Sequence, residues 1–121
     1  MSMVKDIPNA KIQIMDLLKI ICNHQITQNK QILDEDNSFE ISRVLENYIS
    51  NPKHKRQRYT MPPESSVAEM ETREGLGPFD KLSDIDLWID GEPSDLTAVF
   101  RIKTSACTGE STVFIYDLKV L

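Results

Sequence analysis

The sequence predicts an α+β domain in which two or three N-terminal helices pack on one face of an antiparallel sheet of three or more strands. The first half of the chain carries apolar residues at helical spacing, and the last third alternates apolar and polar residues. The length of 121 residues suits one domain. We therefore expect a single globular unit over residues 1–121, with the sheet formed by the C-terminal third.

The first helix is predicted over about residues 9–23, because its apolar residues recur at intervals of three and four positions. Pro8 precedes it, at a helix entrance where a missing backbone N–H costs nothing. The apolar residues of this face are Ala10, Ile14, Leu17, Leu18 and Ile21. Residues 24–36 are compatible with a loop or with a continuation of the helix.

Two further helices are predicted in the first two thirds of the chain. One spans about residues 37–50, where Asn37 and Glu40 have the spacing of a capping box and Pro52 follows the last turn. A shorter one spans about residues 65–74. Their apolar residues are Ile41, Val44, Leu45, Tyr48 and Ile49 in the longer helix, and Val67 and Met70 in the shorter one.

Three antiparallel strands are predicted in the last third, over about residues 84–90, 96–104 and 112–120. Apolar residues at every second position indicate one face toward the helices and one toward water. The side chains expected on the inner face are Ile85, Leu87, Ile89, Leu96, Ala98, Phe100, Ile102, Phe114, Tyr116 and Leu118.

The register of the first two strands is predicted from opposite charges facing each other. The predicted pairs are Asp84–Lys103, Asp86–Arg101 and Trp88–Val99. An outer apolar patch is then expected, formed by Trp88, Val99, Val113 and Ile115. An exposed aromatic residue with an acidic rim suits protein recognition, although the third helix or the proline-rich segment could instead cover Trp88.

Charge is distributed unevenly along the chain. Residues 1–60 carry nine Lys or Arg and seven Asp or Glu, whereas residues 61–121 carry five and twelve. The acidic half repels a phosphate backbone, so we expect a basic partner or a cation and no direct nucleic-acid binding. The basic run at residues 53–58 is expected to be a solvated loop, with a phosphate contact as the alternative.

The two cysteines, Cys22 and Cys107, have neither metal-binding nor redox spacing, which indicates free thiols in a reducing compartment. No apolar run approaches the roughly 18 residues of a membrane span. We therefore expect a cytoplasmic protein without membrane contact. No motif assigns a catalytic residue, a metal or a cofactor.

The string Ser83-Asp84-Ile85-Asp86-Leu87 resembles the acidic motif of the nucleotidyltransferase superfamily. In that family two carboxylates on one strand hold divalent ions, so the resemblance implies that Asp84 and Asp86 are metal ligands. The family's Gly-Ser turn has no counterpart in Gly75-Leu76-Gly77-Pro78, and the predicted register puts basic residues where a third carboxylate is expected. Otherwise the two aspartates are the solvent side of an alternating strand.

The segment Asp86-Leu-Trp-Ile-Asp-Gly-Glu-Pro-Ser-Asp-Leu-Thr97 and the ending Ile115-Tyr-Asp-Leu-Lys-Val-Leu121 resemble the C-terminal half of a group of small, uncharacterised bacterial domains. That group resembles the immunity proteins of contact-dependent inhibition and other polymorphic toxin systems.

This resemblance implies a non-enzymatic protein that neutralises a cognate toxin's C-terminal domain, such as a nuclease, through an acidic face. The residues expected to contact the toxin are Asp84, Asp86, Trp88, Asp90, Glu92 and Asp95. Two alternatives stay open. One is a nucleotidyltransferase-like enzyme that uses Asp84 and Asp86, and the other is a small-ligand-binding domain with a cavity between helices and sheet.

Overall fold

The computed structural model describes residues 3–23, 43–44, 58–75 and 77–120. The helix predicted over about residues 37–50 lies outside them apart from Arg43 and Val44, and Val44 packs against the core. The segment 24–36 and the basic run, except for Arg58, also lie outside the described residues.

One antiparallel sheet of five strands is formed within these residues. The strands are β1 (Tyr59–Thr60), β2 (Arg73–Glu74), β3 (Asp80–Ile89), β4 (Glu92–Thr104) and β5 (Ser111–Val120). β4 lies between β3 and β5, and both β1 and β2 pair with the other edge of β3. With the helices packed against this sheet, the predicted α+β fold is confirmed.

Helix α1 (Ala10–Cys22) confirms the first predicted helix, and it contacts β5. Its five predicted face residues are all buried. They belong to a core whose largest fully buried side chain is Phe100 of β4. A 3-10 helix (Val4–Asp6) and a short helix α2 (Glu64–Ala68) also contact α1.

The predicted helix over about residues 65–74 is wrong beyond its first turn. α2 ends at Ala68, and Arg73–Glu74 forms strand β2. Val67 and Met70 are buried, as their apolar character predicts. Between residues 69 and 73 exposed and buried side chains alternate, which is the pattern of an extended chain rather than a helix.

A two-residue turn at Asp90-Gly91 joins β3 to β4 and corrects the predicted strand ends. Both residues have positive φ angles, 52° and 80°, as type I′ hairpin turns require, and Asp-Gly favours that conformation. As a result β4 begins at Glu92 rather than near residue 96. β3 begins at Asp80 rather than near residue 84.

The observed register differs from the predicted one, because it depends on the tight turn and on an irregularity between Asp86 and Trp88 that shifts the pairing by two positions. The observed pairs are Asp84–Val99, Asp86–Thr97 and Trp88–Pro93, in place of Asp84–Lys103, Asp86–Arg101 and Trp88–Val99. The predicted charge pairs are therefore wrong, because the turn and this irregularity together determine the register, and exposed charge pairs contribute little. The observed partner of each aspartate lies four positions from the predicted partner. Because four is an even number, the aspartates and their new partners lie on the predicted face of the sheet.

A bulge in β5 reverses the predicted faces of the first half of that strand. The pairs on its two sides are Phe100–Ile115 and Val99–Asp117, which leaves Tyr116 as the extra residue. Val113 and Ile115 therefore face the helices. Phe114, predicted inside, lies on the other face with the Lys103 Nζ 5.4 Å from its ring centroid.

The predicted outer apolar patch is consequently wrong. Val113 and Ile115 are 5% and 0% exposed and belong to the core. Val99 does lie on the outer face but is only 1% exposed, and Trp88 is half-buried. The outer face of these strands therefore offers carboxylates rather than apolar surface.

Side chains cover part of the outer edge of β5. Gln13 Nε2 donates to the carbonyl oxygen of Ser111 at 2.7 Å, and the N–H of Val113 donates to Gln13 Oε1 at 3.0 Å. The carboxamide thus makes two bonds that a neighbouring strand would otherwise make. The N–H of Leu118 donates to Asp117 Oδ1 at 2.8 Å. Such contacts leave fewer backbone groups of β5 available for pairing with a strand of another chain.

We expect Phe100→Ala to lower the free energy of unfolding by about 3–5 kcal/mol, because it leaves a large cavity in the core. Ile12→Ala is the control, since Ile12 is 64% exposed on α1 and should change stability by no more than about 0.5 kcal/mol. Urea denaturation measures both. Equal effects of the two substitutions would contradict the described core.

We expect Gln13→Ala to lower the free energy of unfolding by about 1–2 kcal/mol, because it leaves a backbone donor and a backbone acceptor of β5 unpaired. Asp16→Ala, at an exposed position of the same helix, is the matched control. Thermal denaturation of both variants provides the comparison. An unchanged melting temperature for Gln13→Ala would show that the carboxamide does not cap the strand.

Candidate functional site

The edge of β3 opposite β4 is paired only near its two ends. β1 pairs with Trp88 and Ile89, and β2 pairs with Lys81 and Leu82. Within the described part of the chain, no strand pairs on this edge with residues 83–87, which we call the β3 gap. The chain leaves the edge after β1 at Pro62-Pro63, and prolines have no N–H with which to continue the ladder.

Hydrogen bonds at the two ends of β3 establish which backbone groups point toward this edge. The N–H of Asp90 donates to the carbonyl oxygen of Arg58 at 3.0 Å. The N–H of Gly75 donates to the carbonyl oxygen of Asp80 at 3.1 Å. Successive residues of a strand direct these groups to alternate edges, so the even-numbered residues of β3 direct theirs to the edge that carries the gap.

By the same alternation the N–H and C=O groups of Asp84 and Asp86 point into the β3 gap. The carbonyl oxygen of Leu87 is consistent with this, because it accepts a hydrogen bond from Ser94 Oγ of β4 at 2.6 Å, on the opposite edge. The gap therefore presents two backbone donors and two backbone acceptors in the geometry of a strand edge.

A cleft of about 520 Å³ lies beside the β3 gap, and we call it the edge cleft. It is open to solvent and lies between the segment that runs from α2 to β2 and strand β3. Its polar lining includes Glu69, Glu71, Arg73, Asp84, Asp86 and Thr97. Four carboxylates and one guanidinium give this lining a negative balance, which attracts basic groups.

The two aspartates of the edge cleft differ in their partners. Asp84 Oδ1 is 2.5 Å from Arg73 Nη1, and both side chains are more than two fifths exposed. Asp86 Oδ1 accepts a hydrogen bond from Thr97 Oγ1 at 2.9 Å, and its contact is therefore with a neutral hydroxyl. The charge of Asp86 is thus the less compensated of the two.

The other predicted partner-binding residues lie farther along the hairpin. Trp88 pairs with Thr60 of β1, beyond the gap. Asp90 is in the turn, and its Oδ1 accepts a hydrogen bond from the N–H of Arg58 at 3.1 Å. Glu92 and Asp95 are exposed. Glu92 pairs with the core residue Ile89 and so lies on the opposite face from Asp84 and Asp86.

Sequence reasoning missed the second wall of the edge cleft, which contains Glu69, Glu71 and Arg73. These residues were assigned to a helix. The alternation of charged and uncharged residues from 69 to 73 was the signal for an extended segment that could lie beside β3. Ser83 was also missed: it is fully buried, and its Oγ donates to the carbonyl oxygen of Glu71 at 2.7 Å, which joins the two walls.

This geometry adds little support to the nucleotidyltransferase resemblance. The β4 neighbours of Asp84 and Asp86 are Val99 and Thr97, so no third carboxylate stands beside them there. No group of three or more His, Cys, Asp or Glu suited to a metal ion occurs among the residues that the structure describes. Asp84 is already paired with a guanidinium.

Neither thiol lies in the edge cleft. Cys22 is half-buried, and burial raises the pKa of its thiol above the ordinary value, which disfavours the reactive thiolate. Cys107 is exposed in the β4–β5 turn, and both thiols are free.

Comparison with protein-family models, curated proteins and solved structures finds no match to this chain. Within the described residues, the helices are too short or too polar to cross a membrane.

We expect iodoacetamide to alkylate Cys107 well before Cys22 in the folded protein at pH 8, because burial of Cys22 restricts access and raises its pKa. Mass spectrometry of tryptic peptides over time measures the two rates. The rates should converge in denaturant. Faster alkylation of Cys22 in the folded state would contradict its described environment.

Proposed function

We propose that this domain is a non-enzymatic binding protein, most concretely a cytoplasmic immunity protein that binds and neutralises a cognate toxin domain. The edge cleft carries the proposal, because it combines a negative lining with strand-edge groups of β3 that none of the described strands pairs with. A basic toxin domain, such as a nuclease, has the complementary charge. The biological context comes from the resemblance of residues 86–97 and 115–121 to small bacterial domains that in turn resemble immunity proteins.

The proposed contact surface centres on Asp84 and Asp86, with Trp88 and Asp90 farther along the hairpin. The first two side chains are exposed beside the gap. Trp88 is half-buried and can supply a rigid aromatic contact at the rim. Carboxylates of this kind accelerate association with a basic partner more than they add final affinity, so the interaction should weaken as salt rises.

The small-ligand alternative is less well supported. Apolar side chains of α1, β4 and β5 fill the space between helix and sheet, whereas the edge cleft lies at the side of β3. An open cleft with four carboxylates in its lining suits a protein segment better than a small apolar ligand.

The proposal predicts that a toxin gene lies next to the gene for this chain. It is tested by co-expressing the chain with the C-terminal domain of that neighbour and measuring complex formation and growth. We expect a stable complex that restores growth. The double variant Asp84→Asn/Asp86→Asn should weaken the complex about tenfold or more at low salt, because two interface carboxylates are lost.

The matched control is Glu110→Gln, which removes one carboxylate from the exposed β4–β5 turn outside the edge cleft and should leave affinity unchanged. The double variant should keep its folded stability, since the exposed Arg73–Asp84 pair contributes little. No complex with the neighbouring domain, or full affinity of the double variant, would contradict the proposal.

A further inference from the structure

We propose that the partner contributes an extended segment that adds a strand to β3 at the β3 gap. The segment carries a basic–apolar–basic sequence. This inference rests on the proposed binding function and specifies how the partner is recognised. The charge of the edge cleft indicates a basic partner, but it does not indicate how that partner binds. The backbone groups of β3 that face the gap indicate that it binds as a strand.

The outer edges of β5 and β3 differ in whether side chains cap their backbone groups. On β5, Gln13 caps the N–H of Val113 and Asp117 caps the N–H of Leu118. On β3, the side chains of Asp84 and Asp86 bond to Arg73 and Thr97, and no side chain among the described residues caps the backbone groups of the gap. Capping protects an edge from pairing, so the uncapped edge is the one suited to an incoming strand.

The dimensions of the gap fit a short segment. Residues 83–87 span about 17 Å at the usual rise of an antiparallel strand. Three partner residues are enough to pair with the backbone groups of Asp84 and Asp86, because an antiparallel pair exchanges both bonds at every second residue. The edge cleft of about 520 Å³ gives this segment room.

Cross-strand pairing dictates the side chains of the segment. Residues directly opposite each other share a face of the sheet, so the outer two partner residues lie beside the carboxylates of Asp84 and Asp86 and should be Lys or Arg. The middle residue lies opposite Ile85, on the core side, and should be apolar. The stronger basic contact is expected at Asp86, which has no cation beside it among the described ion pairs.

A second copy of this chain is not the proposed occupant. The chain carries a net charge of −5, and the edge cleft is itself acidic, so two copies would bring like charges together. A basic segment from a different protein reverses that repulsion.

The test uses a fluorescein-labelled peptide, Val-Lys-Val-Lys-Val with blocked ends, and the full chain, with fluorescence anisotropy as the measurement. In one modified peptide both lysines are N-methylated, which removes the two N–H donors that would face β3. In the matched control only the central valine is N-methylated, and its N–H would face away. We expect saturable binding of the unmodified and control peptides, and at least about tenfold weaker binding of the doubly methylated one.

Asp86→Asn should weaken binding of the unmodified peptide several-fold, and Glu110→Gln should not. Equal binding of all three peptides, or no saturable binding of the unmodified peptide, would overturn strand addition. The proposed function is tested separately from strand addition. It fails only if the co-expressed toxin domain forms no complex that depends on Asp84 and Asp86. A complex of that kind together with equal peptide binding would retain the acidic face and reject the added strand.

Discussion

Strand β3 is hydrogen-bonded along nearly its whole length on one edge, whereas on the other edge the strands that the structure describes pair with it only near its two ends. The rest of the structure follows from this asymmetry. The full edge anchors β4, whose apolar side chains form the core with α1. The other edge of β3 is only partly paired, because Pro62-Pro63 takes the chain out of the ladder after β1. The segment that leads back to this edge at β2 forms one wall of the edge cleft. The core and the candidate site therefore both depend on β3.

The local pattern of the sequence was sufficient for the elements and for most of the faces. Strict alternation from residue 84 to 89 predicted a strand with Ile85, Leu87 and Ile89 inside, and all three are buried. Register was not predicted, because it depends on the two-residue turn at Asp90-Gly91 and on the irregularity between Asp86 and Trp88, which together outweigh the charge pairs used instead. The bulge at Tyr116 leaves no mark in the alternation of β5, so Val113 and Ile115 were assigned to the wrong face.

The candidate site was only half predictable for a related reason. Asp84 and Asp86 lie on a regular strand, where spacing fixes their direction, and they do line the edge cleft. The opposite wall comes from the irregular stretch between α2 and β2, whose path depends on contacts with distant residues. Met70 is one example, since its carbonyl oxygen accepts the N–H of Val4 at 2.9 Å. Helical propensity could not predict such a long-range contact.

Amide hydrogen exchange of the free protein tests the central claim most directly, because it detects whether the β3 gap is an open edge. The N–H groups of Ser83 and Ile85 face β4 at paired positions and should exchange slowly. Those of Asp84 and Asp86 should exchange at rates close to those of an unstructured peptide, which gives an alternating pattern along the strand. Uniformly slow exchange from residue 83 to 87 would mean that this edge is already paired, and both the cleft and the proposed mode of recognition would then be contradicted.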